Sequence, residues 1–229
     1  MAEGLFAKRS VGLTGAAVLG SLAAISEVII PAGIQPSFPI LPFLRFDPAE
    51  LFSVLAFLIF GPIAALIAAI VQWIFLMGTG VDSPLGPTVK FAAVLSTLLG
   101  LLVGSLLYRR FGGRFRQVSV ALGFMLGFAT LARVGVLLVV NYFVFTYIGP
   151  IIFGIDYLGF SQRTLQATLG LQFAGPWEVL MAMLFFTSIF NGLHAIFSVV
   201  VPYTIFTPLT LKVPEIASEH PWISRFARK

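Results

Sequence analysis

The stretch FLRFDPAELFSVLAFLIFGPIAALIAAIVQWI, residues 43–74, decides how the chain is read. Its charged residues, Arg45, Asp47 and Glu50, all precede an apolar run that continues to Met77 and is interrupted once, at Gly61-Pro62. Proline removes a backbone donor and opposes helix continuation, so the run reads as two helices joined tightly, over residues 48–60 and 63–77. Each is short for a hydrocarbon layer of about 30 Å and needs protein cover or local membrane adaptation. Asp47 is placed to cap the first helix, and Pro48 suits its first position because the missing donor is not needed there. One continuous kinked helix is the alternative.

The remainder of the 229 residues has the same character: 59% are hydrophobic and only 10% charged, with a mean hydropathy of +1.02. Soluble domains carry roughly 25% charge, so many apolar side chains here must face a non-aqueous medium. Disorder, a nucleic-acid module and a disulfide scaffold are excluded as classes, the last because the chain has no cysteine. Further spans are predicted at residues 11–30, 88–108, 118–147 and 177–201. Residues 151–175 are mixed in character and read as a partly helical external loop. Pro202, Pro208, Pro214 and Pro221 predict a bend or exit after the last span. The expected fold is all-α, a compact bundle of six transmembrane helices forming one integral-membrane domain over residues 1–229.

Ten of the fourteen basic residues fall in three places: Lys8 and Arg9; Arg109, Arg110, Arg114 and Arg116; and Lys212, Arg225, Arg228 and Lys229. Basic loops stay preferentially on the cytoplasmic side. Six spans put all three groups on that side, with both termini cytoplasmic in the cell membrane, whereas five would separate them. The split at Gly61-Pro62 thus has a topological argument as well as a local one.

Polar residues inside apolar spans must face protein, water or a ligand. Arg133 and Asn141 lie eight residues apart and share a helix face at different depths. Arg133 reads first as a clamp on a carboxylate and second as a ligand contact, while Glu27 and Glu178 lie near enough to helix ends to stay hydrated. Asn191 and His194, at i and i+3, occupy neighbouring positions on one helix surface. Together they suit either a helix–helix hydrogen-bond network or the polar edge of a planar molecule. Trp73 and Lys90 flank an external connection, where Trp73 serves as a stacking surface or as a membrane-interface anchor. No metal site is expected, because the only other histidine is His220 and cysteine is absent. No phosphate loop, metalloprotease motif or nucleophile elbow is present, so the chain is not expected to be an enzyme by itself. A membrane enzyme or an assembly protein stays open as an alternative. Gly12, Ala16, Gly20 and Ala24 recur every four residues and permit close helix approach, either within the bundle or to a separate membrane subunit.

Three segments carry a family resemblance: residues 43–74, RVGVLLVVNYFV at residues 133–144, and FNGLHAIFSVV at residues 190–200. In order and placement they resemble the substrate-binding membrane subunit of energy-coupling-factor vitamin transporters, closest to the riboflavin-binding branch. The resemblance covers most of residues 10–205. It implies high-affinity riboflavin binding, with Asn141, Asn191 and His194 orienting the flavin; Trp73 and Lys90, from their place at the external connection, are expected as further substrate contacts. It also implies a membrane coupling protein, docked on Ala16, Gly20 and Ala24, and two cytoplasmic ATPases that hydrolyse ATP. His194 stands where the branch commonly has lysine, and Ile189 where it commonly has proline. The histidine leaves another vitamin, such as thiamine, as the alternative substrate.

Overall fold

The computed structural model describes residues 2–30, 35–80, 83–111 and 118–212. Arg114 and Arg116, together with the tail beyond Lys212, lie outside them, as does the sidedness of the termini. The protein is a multi-pass membrane bundle. Helix α1 spans Ala2–Ile29, and a two-stranded antiparallel hairpin follows, β1 Ser37–Phe38 with β2 Leu41–Arg45. Next come α2 Glu50–Phe60, α3 Pro62–Thr79, α4 Leu85–Phe111 and α5 Val118–Phe143. A π-helical segment, Val144–Ile152, extends α5, and α6 Tyr157–Leu169 and α7 Pro176–Lys212 complete the chain.

The break at Gly61-Pro62 is real. Gly61 adopts φ 98°, a backbone region that favours glycine, and its N–H reaches the carbonyls of Ala56 and Phe57 at 3.1 and 3.0 Å. Pro62 then opens α3, where its absent donor has no partner to lose. The two helices pack against each other and against α1. Six full crossings are not what results. Five helices are long and apolar enough to cross a membrane, and α2 has only 11 residues. At 1.5 Å per residue, α2 covers about 16 Å, roughly half the hydrocarbon layer. It survives because α1, α3, α4 and α7 surround it, with Val54, Ala56, Phe57 and Leu58 all buried.

Small residues set the closest helix approaches. The stripe Ala16, Gly20 and Ala24 is buried within the chain. A Cβ on Gly20 would stand 2.9 Å from Cβ of Val71 and 3.0 Å from Cα of Ala68 on α3. Internal packing is therefore the use this stripe serves, and the expected coupling-protein face does not lie there. Val18, Leu22 and Ile25 form the outward side of α1 instead. A second stripe, not singled out in the sequence, joins α4 to α5: Gly100 and Gly104 lie directly on the backbone at Ala129 and Met125. The pair has the G-x-x-x-G spacing that lets helices meet backbone to backbone.

The ends of the later spans also differ from expectation. Residues 144–152 continue helical past the expected end at 147, with Pro150 accommodated in the wider π-helical turn. Helix α7 runs through Pro202 and Pro208 to Lys212 rather than ending at residue 202. Buried helix neighbours and local adjustment tolerate a missing backbone bond in such spans. The expected loop at 151–175 holds α6, which Asp156 caps by accepting from Gly159 N–H at 2.8 Å.

Gly100→Leu, with no room beside Ala129, should destabilise the protein by about 1–3 kcal/mol through overpacking. Gly127→Leu, on an open side with nothing within 4 Å of its Cβ, should leave thermal unfolding in detergent near the native value. Equal melting temperatures for the two variants would contradict the packing assigned to α4 and α5.

Candidate functional site

The site is built around one buried ion pair. Glu50 is the first residue of α2, and Arg133 comes from the middle of α5. The guanidinium grips the carboxylate through two nitrogens, Nη1 to Oε2 at 2.6 Å and Nη2 to Oε1 at 3.1 Å, and both residues are nearly inaccessible. Its other donors are also used. Nη1 reaches Thr97 Oγ1 on α4 at 3.2 Å, and Nε reaches Asn191 Oδ1 on α7 at 3.3 Å. Nη2 also lies 3.2 Å from His194 Nδ1. Arginine cannot accept, so Nδ1 is the acceptor and the proton sits on Nε2. That Nε2–H faces the Asp47 carbonyl at 3.4 Å. Ser198 donates to Glu50 Oε2 at 3.1 Å, and Asn191 returns its amide N–H to the Thr187 carbonyl at 2.9 Å. Asn191, His194 and Ser198 fall at i, i+3 and i+7, one face of α7. The clamp reading of Arg133 is the one observed.

A second polar cluster adjoins the first. Lys90 on α4 pairs with Glu27 on α1 and with Asp47 at the entrance to α2. Glu27 also accepts from Gln72 Nε2 on α3 at 3.2 Å. Glu27 is thus tied into the bundle rather than left hydrated at a helix end. Glu178 does lie at an exposed end, accepting from Ala174 N–H at 2.8 Å. Asp47 does not cap α2 as expected: the helix begins at Glu50, with Ala49 at its cap position and no side-chain cap bond, and Pro48 lies before it. Asp47 instead holds the preceding turn, accepting from Ala49 N–H at 2.8 Å with one oxygen while the other faces Lys90.

Glu50, Arg133, Asn191 and His194 of the first cluster, with Lys90 and Asp47 of the second, line the floor of a cavity of about 680 Å³, within the range typical of small-molecule sites. Four of the residues selected from sequence line it: Asn141, Asn191, His194 and Lys90. Trp73 does not. It stacks on Phe91, with ring centroids 4.9 Å apart, beside a separate crevice of about 10 Å³. The side walls are aromatic. Phe43 of the hairpin packs against Phe145, Tyr157 and Phe160 at centroid distances of 6.1, 5.8 and 6.2 Å. Gly149 allows this arrangement, because a Cβ there would meet the Tyr157 ring. Phe190 closes the wall next to His194, 5.3 Å away.

Asn141 stands apart from the other polar groups. It is 5% exposed and lines the cavity, yet its side chain has no hydrogen-bond partner among the described residues. The residue is largely enclosed, but its polar atoms are open to the cavity, where water or a ligand can meet them. Sequence reasoning missed the hairpin wall, the α6 aromatics and the roles of Glu50, Thr97 and Ser198. Glu50 had a usable signal, since an acid at an apolar helix start needs a cation, and Arg133 is an intramembrane cation. Thr97 and Ser198 had none, because hydroxyls are ordinary in apolar helices. Comparison with protein-family models, with curated proteins and with solved structures finds no match to this chain.

Arg133→Met leaves Glu50 buried without its partner and should cost about 3–5 kcal/mol. Adding Glu50→Leu should recover most of that loss, because the double variant buries no uncompensated charge. Chemical unfolding in detergent measures both; a double variant no more stable than the single one would show that the pair is not the element being broken.

Proposed function

We propose that this chain is the riboflavin-binding specificity subunit of an ATP-driven vitamin uptake system. The observation that carries the reading is the unpartnered Asn141 amide in an aromatic-walled cavity floored by paired polar groups. An amide offers one donor face and one acceptor face, which complements a cyclic imide edge such as that of the isoalloxazine ring. The rings of Phe43, Phe145, Tyr157 and Phe190 supply the apolar contacts a flat ligand needs. The family resemblance of the three segments supports the same ligand.

Asn191 and His194 enter with modified roles. Arg133 and the Thr187 carbonyl already engage Asn191, while Arg133 and the Asp47 carbonyl engage His194. They shape and fix the polar floor, and Asn141 reads the ring edge. Lys90 keeps its ammonium at the cavity wall between two carboxylates. Reading His194 as spent on the protein also favours a second assignment, another planar vitamin such as thiamine, because the lysine typical of the riboflavin branch is not replaced by a free donor.

In this proposal the chain hydrolyses no ATP and carries no catalytic cofactor. A membrane coupling protein and two cytoplasmic ATPases supply the energy, and both termini face the cytoplasm with the basic segments. The coupling protein docks elsewhere than on Ala16, Gly20 and Ala24, which are buried against the bundle.

Detergent-purified protein should quench riboflavin fluorescence saturably and bind riboflavin in preference to thiamine and biotin. Asn141→Ala should weaken riboflavin by about 1–3 kcal/mol, roughly five- to 150-fold. Equal affinity in a folded variant removes Asn141 from the site. Tight thiamine binding with no riboflavin binding moves the assignment to the second reading.

A further inference from the structure

Three cations line the cavity: Arg45, Lys90 and Arg133. Two are already spent on the protein. Arg133 directs its donors to Glu50, Thr97, Asn191 and His194. Lys90 is held between Glu27 and Asp47. Arg45 differs. It has no ion pair and no side-chain hydrogen bond among the described residues, although it is only partly exposed and faces the same cavity. In a chain with so few charges, a guanidinium that lines an aromatic-walled cavity and has no ion pair among the described residues is a strong local field.

Its mounting is firm. Arg45 ends β2, opposite Ser37 in the hairpin ladder, and the next residue, Phe46, donates to the Pro36 carbonyl at 2.9 Å. The backbone that presents the guanidinium is therefore tied on both sides. Phe43, two residues earlier, is part of the aromatic wall. The exposed Asp156, also at the cavity edge, commits one oxygen to capping α6. The floor, by contrast, holds charges that are already paired within the protein. A ligand that fits both ends has an uncharged ring inside and an anionic group at the rim.

We propose that Arg45 forms a phosphate subsite at the rim of the cavity, so that the preferred ligand is a planar ring bearing a phosphorylated tail. The inference rests on the flavin reading above and deepens it. Flavin mononucleotide carries a phosphate where riboflavin ends in a hydroxyl, and the planar guanidinium fork matches phosphate oxygens in paired hydrogen bonds. The same chemistry also fits the phosphate of a lipid headgroup.

The test compares riboflavin with flavin mononucleotide on the full chain in a phosphate-free maltoside detergent. Native protein should hold flavin mononucleotide about tenfold more tightly, the scale of one charge-assisted contact, and R45Q should bring the ratio to about one. Phenyl phosphate, titrated while the Arg45 side-chain N–H resonance is followed, reads the subsite without a flavin ring. Retention of phosphatidylglycerol in native mass spectra identifies a lipid source if native protein keeps it, R45Q loses it, and adding it erases the flavin mononucleotide preference. A preference abolished by R45Q and indifferent to phosphatidylglycerol assigns the subsite to the soluble ligand. Flavin affinities whose ratio is near one in native protein, with no resonance shift and no lipid difference, overturn the subsite while leaving riboflavin binding standing. Absence of all flavin binding with a phenyl phosphate response that R45Q removes overturns the flavin reading and keeps the subsite.

Discussion

The bundle is organised around a charge that has no place in lipid. Arg133 lies in the middle of α5 and is 2% exposed, with Glu50 at 3% as its bidentate partner. Removing a guanidinium and a carboxylate from water is costly, and their attraction offsets that cost only with good geometry and further hydrogen bonds. Thr97, Asn191, His194 and Ser198 supply those bonds from α4 and α7. Four helices are thereby held in one register, and a displaced neighbour would leave a buried donor or acceptor unmet. The pair acts more as a specifier of arrangement than as a source of net stability.

That arrangement explains the short helix. An 11-residue segment does not span a bilayer alone, yet Glu50 must reach the depth of Arg133. The chain delivers it by beginning α2 below the hairpin and turning sharply at Gly61 into α3. The hairpin packs against α6 and α7, and its Phe43 meets the aromatic rings of the π-helical segment and α6. The cavity is what remains between the paired polar floor and this aromatic wall. Its floor is held by hydrogen bonds already made, whereas Asn141 and Arg45 line the cavity with no side-chain partner among the described residues, which is why the proposed ligand contacts fall on them.

Much of this was legible in the chain before its fold was known, for identifiable reasons. The break at Gly61-Pro62 was visible because proline and glycine act locally, on their own backbone. Lys90, Asn141, Asn191 and His194 stood out because polar groups are rare in apolar helices and must find a partner. Which partner was not legible. Asn191 and His194 looked equally suited to a ligand edge or to a helix contact, and their engagement with Arg133 depends on how α5 and α7 cross. Trp73 failed as a cavity residue because Phe91, on the neighbouring helix, takes its ring face. The helix did not end at Pro202 because packed helices tolerate one missing bond.

Composition and helix-period pattern, which need no knowledge of neighbours, determined that this is a helical membrane protein, roughly where its spans lie and which of its polar residues are exceptional. Tertiary structure decided the pairings: Glu50 with Arg133, Lys90 between Glu27 and Asp47, and the stripe from Ala16 to Ala24 turned inward onto α3. It also decided that Asn141 has no side-chain partner among the described residues. The reason is one of range. Helix propensity and hydropathy are summed along the chain, whereas a hydrogen bond or a backbone-to-backbone contact exists only at a few ångströms, between residues whose separation in sequence carries no record of it.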